Sequence, residues 1–152
     1  MKRKPSFFEK IGSLIPGYKG YADRDSRRNC DKLMRKTISD KFMNFEKDMN
    51  DWSLKAFRKK EKETMRAIEH LRKELNTLKS KIEYAPYGAS SFFADQQIKE
   101  EELFEIYQFD HDLLDFAEKI ILCDHTHLEI IEENIKKCYD VLSERNNYIS
   151  QF

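Results

Sequence analysis

The chain has 152 residues, of which 37% are charged and 39% hydrophobic, with 28 Lys/Arg balancing 28 Asp/Glu and a mean hydropathy of −0.81. That is enough chain for one domain with a modest core, and the profile fits long helices with wet outer faces better than a thick globular interior. No run approaches the ~18 apolar residues of a spanning helix, and three irregularly spaced cysteines (Cys30, Cys123, Cys138) exclude a disulfide framework, so free thiols in a reducing, cytoplasmic setting are expected.

The neutral total hides a gradient. Residues 1–36 carry net +7, residues 37–94 net +3 and residues 95–152 net −10. Either the acidic C-terminal part lies against basic partners in the same molecule, or the basic N-terminal end meets phosphate groups or anionic lipid.

Residues 1–15 form the first predicted element. Phe7, Ile11 and Ile15, with Phe8 and Leu14, share one helical face, ringed by Lys2, Arg3, Lys4 and Lys10. A short basic amphipathic helix of this kind either touches a membrane surface or docks on the remainder of the chain, residues 16–152, read as a single helical domain. Glu9 and Lys10 interrupt the apolar stretch, so a cleaved secretory signal is not expected.

Every glycine and proline falls in two short windows, and none lies between Tyr21 and Ala85. Apolar spacing within that breaker-free stretch is helical. Ile38, Phe42, Phe45, Met49 and Trp52 form one heptad seam, and the run from Leu54 and Phe57 through Ile68, Leu71, Leu75 and Leu78 to Ile82 forms another. The two are out of phase, and Asn50, Asp51 and Ser53 offer turn and N-cap chemistry between them. The expectation is an antiparallel hairpin of helices near 22–50 and 53–84.

In such a hairpin the "IPGYKGYADR" segment at 15–24 lies beside "YAPYGASSFFAD" at 84–95, gathering Tyr18, Tyr21, Tyr84, Tyr87, Phe92 and Phe93 at one end. These rings plug the open end of the helices, or form a contact surface together with Arg24 and Arg28, since Tyr, Gly and Arg suit adaptable recognition. The cations from Arg24 to Lys36 near a helix N-terminus suit an anion, or pair internally with Asp23, Asp25, Asp31 or the acidic C-terminal part. "GYKGY" matches neither a dinucleotide fingerprint nor a Walker loop.

The last segment repeats Tyr107, Leu114, Ile121, Leu128, Ile135, Leu142 and Ile149 every seven residues. Unbroken phase favours one helix from about 98 to 150, roughly 80 Å long, which would overhang the hairpin and expose its end unless a second copy covered it. The alternative is a break at "CDHTHLE", where Thr126 and Glu129 have capping-box spacing, giving a fourth helix instead of a three-helix coiled-coil-like bundle. Asp110 flanks the stripe and faces inward, where it needs a cation; Arg35 and Arg72 lie at its level. Its other reading is a carboxylate lining a ligand pocket. Cys123, Asp124 and His127 invite a metal, but helical spacing supplies too few ligands and no Glu-x-x-His occurs, so no metal or other cofactor is expected.

"GYKGYADRDSRRNCDKLMR", "YAPYGASSFF" and "YQFDHDLL" together resemble a scattered group of small uncharacterised bacterial helical proteins over about residues 16–115. The resemblance implies a compact helical fold and brings no activity with it. In outline alone, a basic N-terminal helix before a long hairpin is similar to phage-shock and ESCRT-III-like membrane remodelers. The sequence therefore reads as an all-α, non-enzymatic interaction or scaffold protein using its Tyr/Gly/Arg end, with another protein or a second copy as partner. The alternative is peripheral attachment to an anionic membrane through residues 1–15; a nucleic-acid partner is not expected.

Overall fold

The computed structural model describes residues 6–85 and 98–152, and these are all-helical. The first helix, α1 (Phe7–Leu14), starts with a closed capping box: the Ser6 hydroxyl accepts from the Glu9 amide, and the Glu9 carboxylate accepts from the Ser6 amide, both at 3.2 Å. Ile11 and Ile15 are fully buried, and the Phe7 ring lies 5.4 Å from that of Phe104. Part of the amphipathic face of α1 is thus packed on the protein's own core, while Phe8 and Leu14 are 37% and 43% exposed.

After a short 3₁₀ turn at Arg24–Ser26, α2 runs without interruption from Arg27 to Arg58. The turn expected at residues 50–53 does not form. Ser53 and Ala56 carry the buried row of Ile38, Phe42, Phe45 and Met49 onward, but as small side chains they stand out less than Leu54 and Phe57 beside them. Leu54 and Phe57, read as the start of the second seam, are 46% and 67% exposed.

The chain reverses instead at Lys59–Glu61. Lys60 takes a left-handed φ of 62°, its amide donates to the Phe57 carbonyl at 3.0 Å, and the Glu61 amide donates to the Ala56 carbonyl at 2.9 Å. This is a Schellman ending with lysine where glycine usually stands. The next helix, α3 (Lys62–Glu83), returns along α2 and buries Ile68, Leu71, Leu75, Leu78 and Ile82 as its spacing predicts. Each buried aliphatic side chain contributes about 1.5–3 kcal/mol. The far ends meet where Arg35 donates to the Glu83 carbonyl at 2.6 Å.

The single long C-terminal helix is also replaced. The segment divides into α4 (Glu100–Ile121) and α5 (Leu128–Ile149), which pack on each other, α4 also against α1 and α2, and α5 against α3. The fold-back covers Ile135, Leu142 and Ile149 within the chain, so the overhang that called for a second copy does not arise. The break lies where the alternative reading put it, but its chemistry differs. His127 is the N-cap and makes no side-chain capping bond; the turn is held by Asp124, which accepts from the Thr126 amide at 2.8 Å, from its hydroxyl and from His127. The seven-residue phase survives because six loop residues happen to separate Ile121 from Leu128.

Candidate functional site

Glycine opens the path of the chain into the centre. Gly17 and Gly20 have φ of 84° and 85°, and a Cβ at Gly20 would lie 2.5 Å from the Tyr107 hydroxyl and 2.7 Å from the Phe8 ring. The Tyr21 amide donates to the Tyr107 hydroxyl at 2.8 Å, and the Arg27 guanidinium donates to the Tyr21 carbonyl at 2.8 Å. This seats Tyr18 and Tyr21 as buried rings 6.0 Å apart, edge to face.

Below them lies a buried chain of charges. Asp110 (α4) accepts from Arg145 Nε at 2.6 Å through Oδ1, while its Oδ2 accepts a very short bond from the Tyr21 hydroxyl and one at 3.5 Å from Tyr18. Arg145 (α5) also donates to Asp31 (α2) at 2.5 Å. Asp31 in turn accepts from Arg35 at 2.9 Å, and Arg35 caps the last carbonyls of α3, Ile82 and Glu83. Asp31, Asp110 and Arg145 are at most 2% exposed. Two carboxylates and two guanidiniums cancel in charge, and both oxygens of each carboxylate are occupied.

Burial raises Asp110 above its ordinary value, opposed by Arg145 and the Tyr21 hydroxyl and assisted by the like charge of Asp31. Desolvation works against the Arg145 cation, but Asp110 and Asp31 more than offset it and hold this guanidinium well above its ordinary value. Tyr18 and Tyr21 are pushed far up by burial and by Asp110. The arrangement acts as a lock joining the 18–21 loop, α2, α3, α4 and α5.

The expected residues therefore separate. Tyr18 and Tyr21 are core rather than contact surface; Arg24 and Arg28 are exposed at the rim; Tyr87, Phe92 and Phe93 lie outside the described residues. Asp110 is paired, but to Arg145. Arg35 belongs to the same chain through Asp31, and Arg72 pairs instead with Glu69 at 2.8 Å. Arg145 was missed although it steps from Cys138 and Leu142 to Ile149 at helical intervals; an arginine on an otherwise apolar row is the signal. Asp31 occupies the corresponding place on the row leading to Ile38. Cys123 and His127 do not share a helix face, because both lie in the turn between α4 and α5. Among the described residues no group of three His, Cys, Asp or Glu is placed to hold a metal, and no helix is long and apolar enough to cross a membrane.

A second site lies at the opposite end. The Trp52 and His125 rings meet at 6.2 Å beside the α4–α5 turn, and six further residues of α2 carry the hairpin about 9 Å past it. On this projection Lys55, Arg58, Lys59, Lys60, Lys62 and Arg66 are exposed around Leu54, Phe57 and the half-buried Met65, with only Glu61 and Glu63 opposing them. None of those six cations makes an ion pair among the described residues, whereas Lys119, Lys136 and Lys137 of α4 and α5 each reach a carboxylate one turn earlier. Phe57, Arg58, Lys60, Lys62, Met65 and Arg66 line a cleft of about 520 Å³.

Comparison with protein-family models, curated proteins and solved structures finds no match.

Proposed function

We propose that this is a non-catalytic helical-bundle interaction protein: a rigid body, locked at one end by the Asp110–Arg145–Asp31–Arg35 chain, that presents the projecting α2–α3 tip to a macromolecular surface. The observation that carries the reading is the patch of Phe57, 67% exposed, with exposed Leu54 and half-buried Met65, among cations without ion pairs. A cluster of exposed apolar side chains rimmed by like charges is the kind of surface that contact with another molecule accounts for. The acids and arginines with the makings of catalysis are engaged with one another, which supports a structural role for them. The burial of Tyr18 and Tyr21, and of Ile11 and Ile15 on α1, supports placing the contact surface at the α2–α3 tip rather than at the Tyr/Gly/Arg end or on α1.

The test is co-purification after mild cross-linking in cells, comparing wild type with the double variant Leu54→Glu/Phe57→Glu. The wild type is expected to retain a protein or lipid that the variant releases, at equal melting temperatures. Identical co-purifying material from both would remove the tip as the contact surface and with it this reading.

A further inference from the structure

We infer that the α2–α3 tip docks on an anionic lipid surface, its cations meeting headgroup phosphates while Phe57 enters the acyl boundary; this rests on the reading of the tip as the contact surface. Two features select lipid over a protein partner. The first is size. Two adjoining helix ends make a tip of about 20 by 10 Å, a footprint of roughly 200 Å², against about 800 Å² that a standard protein interface takes from each partner. A lipid surface sets no such minimum, since a shallow apolar insertion assisted by several cations suffices.

The second is the set of groups on the projection. Phe57 lies in the last turn of α2 beside the reversal at Lys59–Glu61, with Leu54 one turn behind it, and Arg58, Lys60, Lys62 and Arg66 stand around the cleft that Phe57 shares with Met65. Exposed apolar groups interleaved with cations are the combination that a shallow apolar insertion into an anionic bilayer surface uses. Lys62 also opens the first turn of α3, where the helix dipole disfavours a cation. Its placement runs against the local stability of the helix, and an external anion compensates it.

The experiment is co-sedimentation of the full chain with vesicles of pure phosphatidylcholine, or of phosphatidylcholine with 30% phosphatidylglycerol, at low and high salt. Binding is expected to the anionic vesicles alone and to fall steeply with salt. Lys62→Glu/Arg66→Glu should weaken it at least tenfold, as each cation near an anionic surface is worth about fivefold. Both residues are exposed and the Lys62 change favours the α3 dipole, so this variant folds. Phe57→Ser should weaken binding roughly tenfold or more, and the charge-matched Lys136→Glu/Lys137→Glu control on α5 should leave it intact. Equal binding to neutral vesicles, an equal loss in the α5 control, or no vesicle binding overturns the inference. If vesicle binding fails while tip-dependent co-purification of a protein persists, the lipid assignment alone falls; if both fail, the proposed function falls as well.

Discussion

Arg145 reaches Asp110 at 2.6 Å across the α4–α5 interface, and its other nitrogen holds Asp31 on α2. One cation thus fixes the register of three helices. A buried charge lattice of this kind gains little over an apolar core, but removing one partner strands the others. Arg145→Met should therefore cost about 3–5 kcal/mol, a large part of the ~5–15 kcal/mol typical of a domain, measured by urea denaturation. Adding Asp110→Asn should cost less than its separate effect predicts. A loss under 1 kcal/mol for Arg145→Met would show the lock to be dispensable.

Gly20 and Gly17 share the same left-handed backbone but differ in surroundings. An alanine at Gly17 meets Leu33 at an ordinary 3.8 Å, whereas at Gly20 it collides with Tyr107 and Phe8. Gly17→Ala should cost about 1–2 kcal/mol from the backbone alone, and Gly20→Ala clearly more, with a loss of near-ultraviolet aromatic dichroism. Equal effects would mean that the Tyr107–Phe8 wall yields freely.

Lys60 holds the left-handed position at the α2 ending without the freedom of glycine. Lys60→Gly should raise stability by about 0.5–1 kcal/mol, since relief of that strain exceeds the added chain entropy of the unfolded state. A destabilised variant would place the reversal elsewhere, as at the residue 50–53 turn first expected.

The α4–α5 turn depends on an ionised Asp124. Hydrogen bonds from the Thr126 hydroxyl and amide, then from His127, hold its pKa down to about 2. Because the folded value lies below the unfolded one near 4, the stabilisation is complete above pH ~4 and is lost as pH falls through ~2. The Thr126 amide proton, followed by NMR, should titrate near pH 2. A midpoint near 4 would show that these bonds do not form in solution.

The helical class was legible because side-chain periodicity is a local property, and the rows from Ile38 to Met49 and from Ile68 to Ile82 reported their faces correctly. That Asp110 faces inward and needs a cation was also legible, because an apolar row with one acid on it admits few solutions. The reversal at Lys60 was hidden by a lysine in a glycine's place and by Ser53 and Ala56, small side chains that are buried beside the larger but exposed Leu54 and Phe57. The break before Leu128 was hidden by a loop whose length leaves the heptad phase unchanged.

What the chain's own order of residues determined is the set of helices and the face each turns inward, since these follow from interactions within a few turns. Which arginine meets Asp110 was decided only by the tertiary structure. Arg35, Arg72 and Arg145 are equally good cations, and the choice depends on α5 folding back to bring a residue 35 positions away within 2.6 Å. The exposure of Phe57 and its neighbouring cations was likewise decided by the tertiary structure, since α4 turns back into α5 beside Trp52 without covering them.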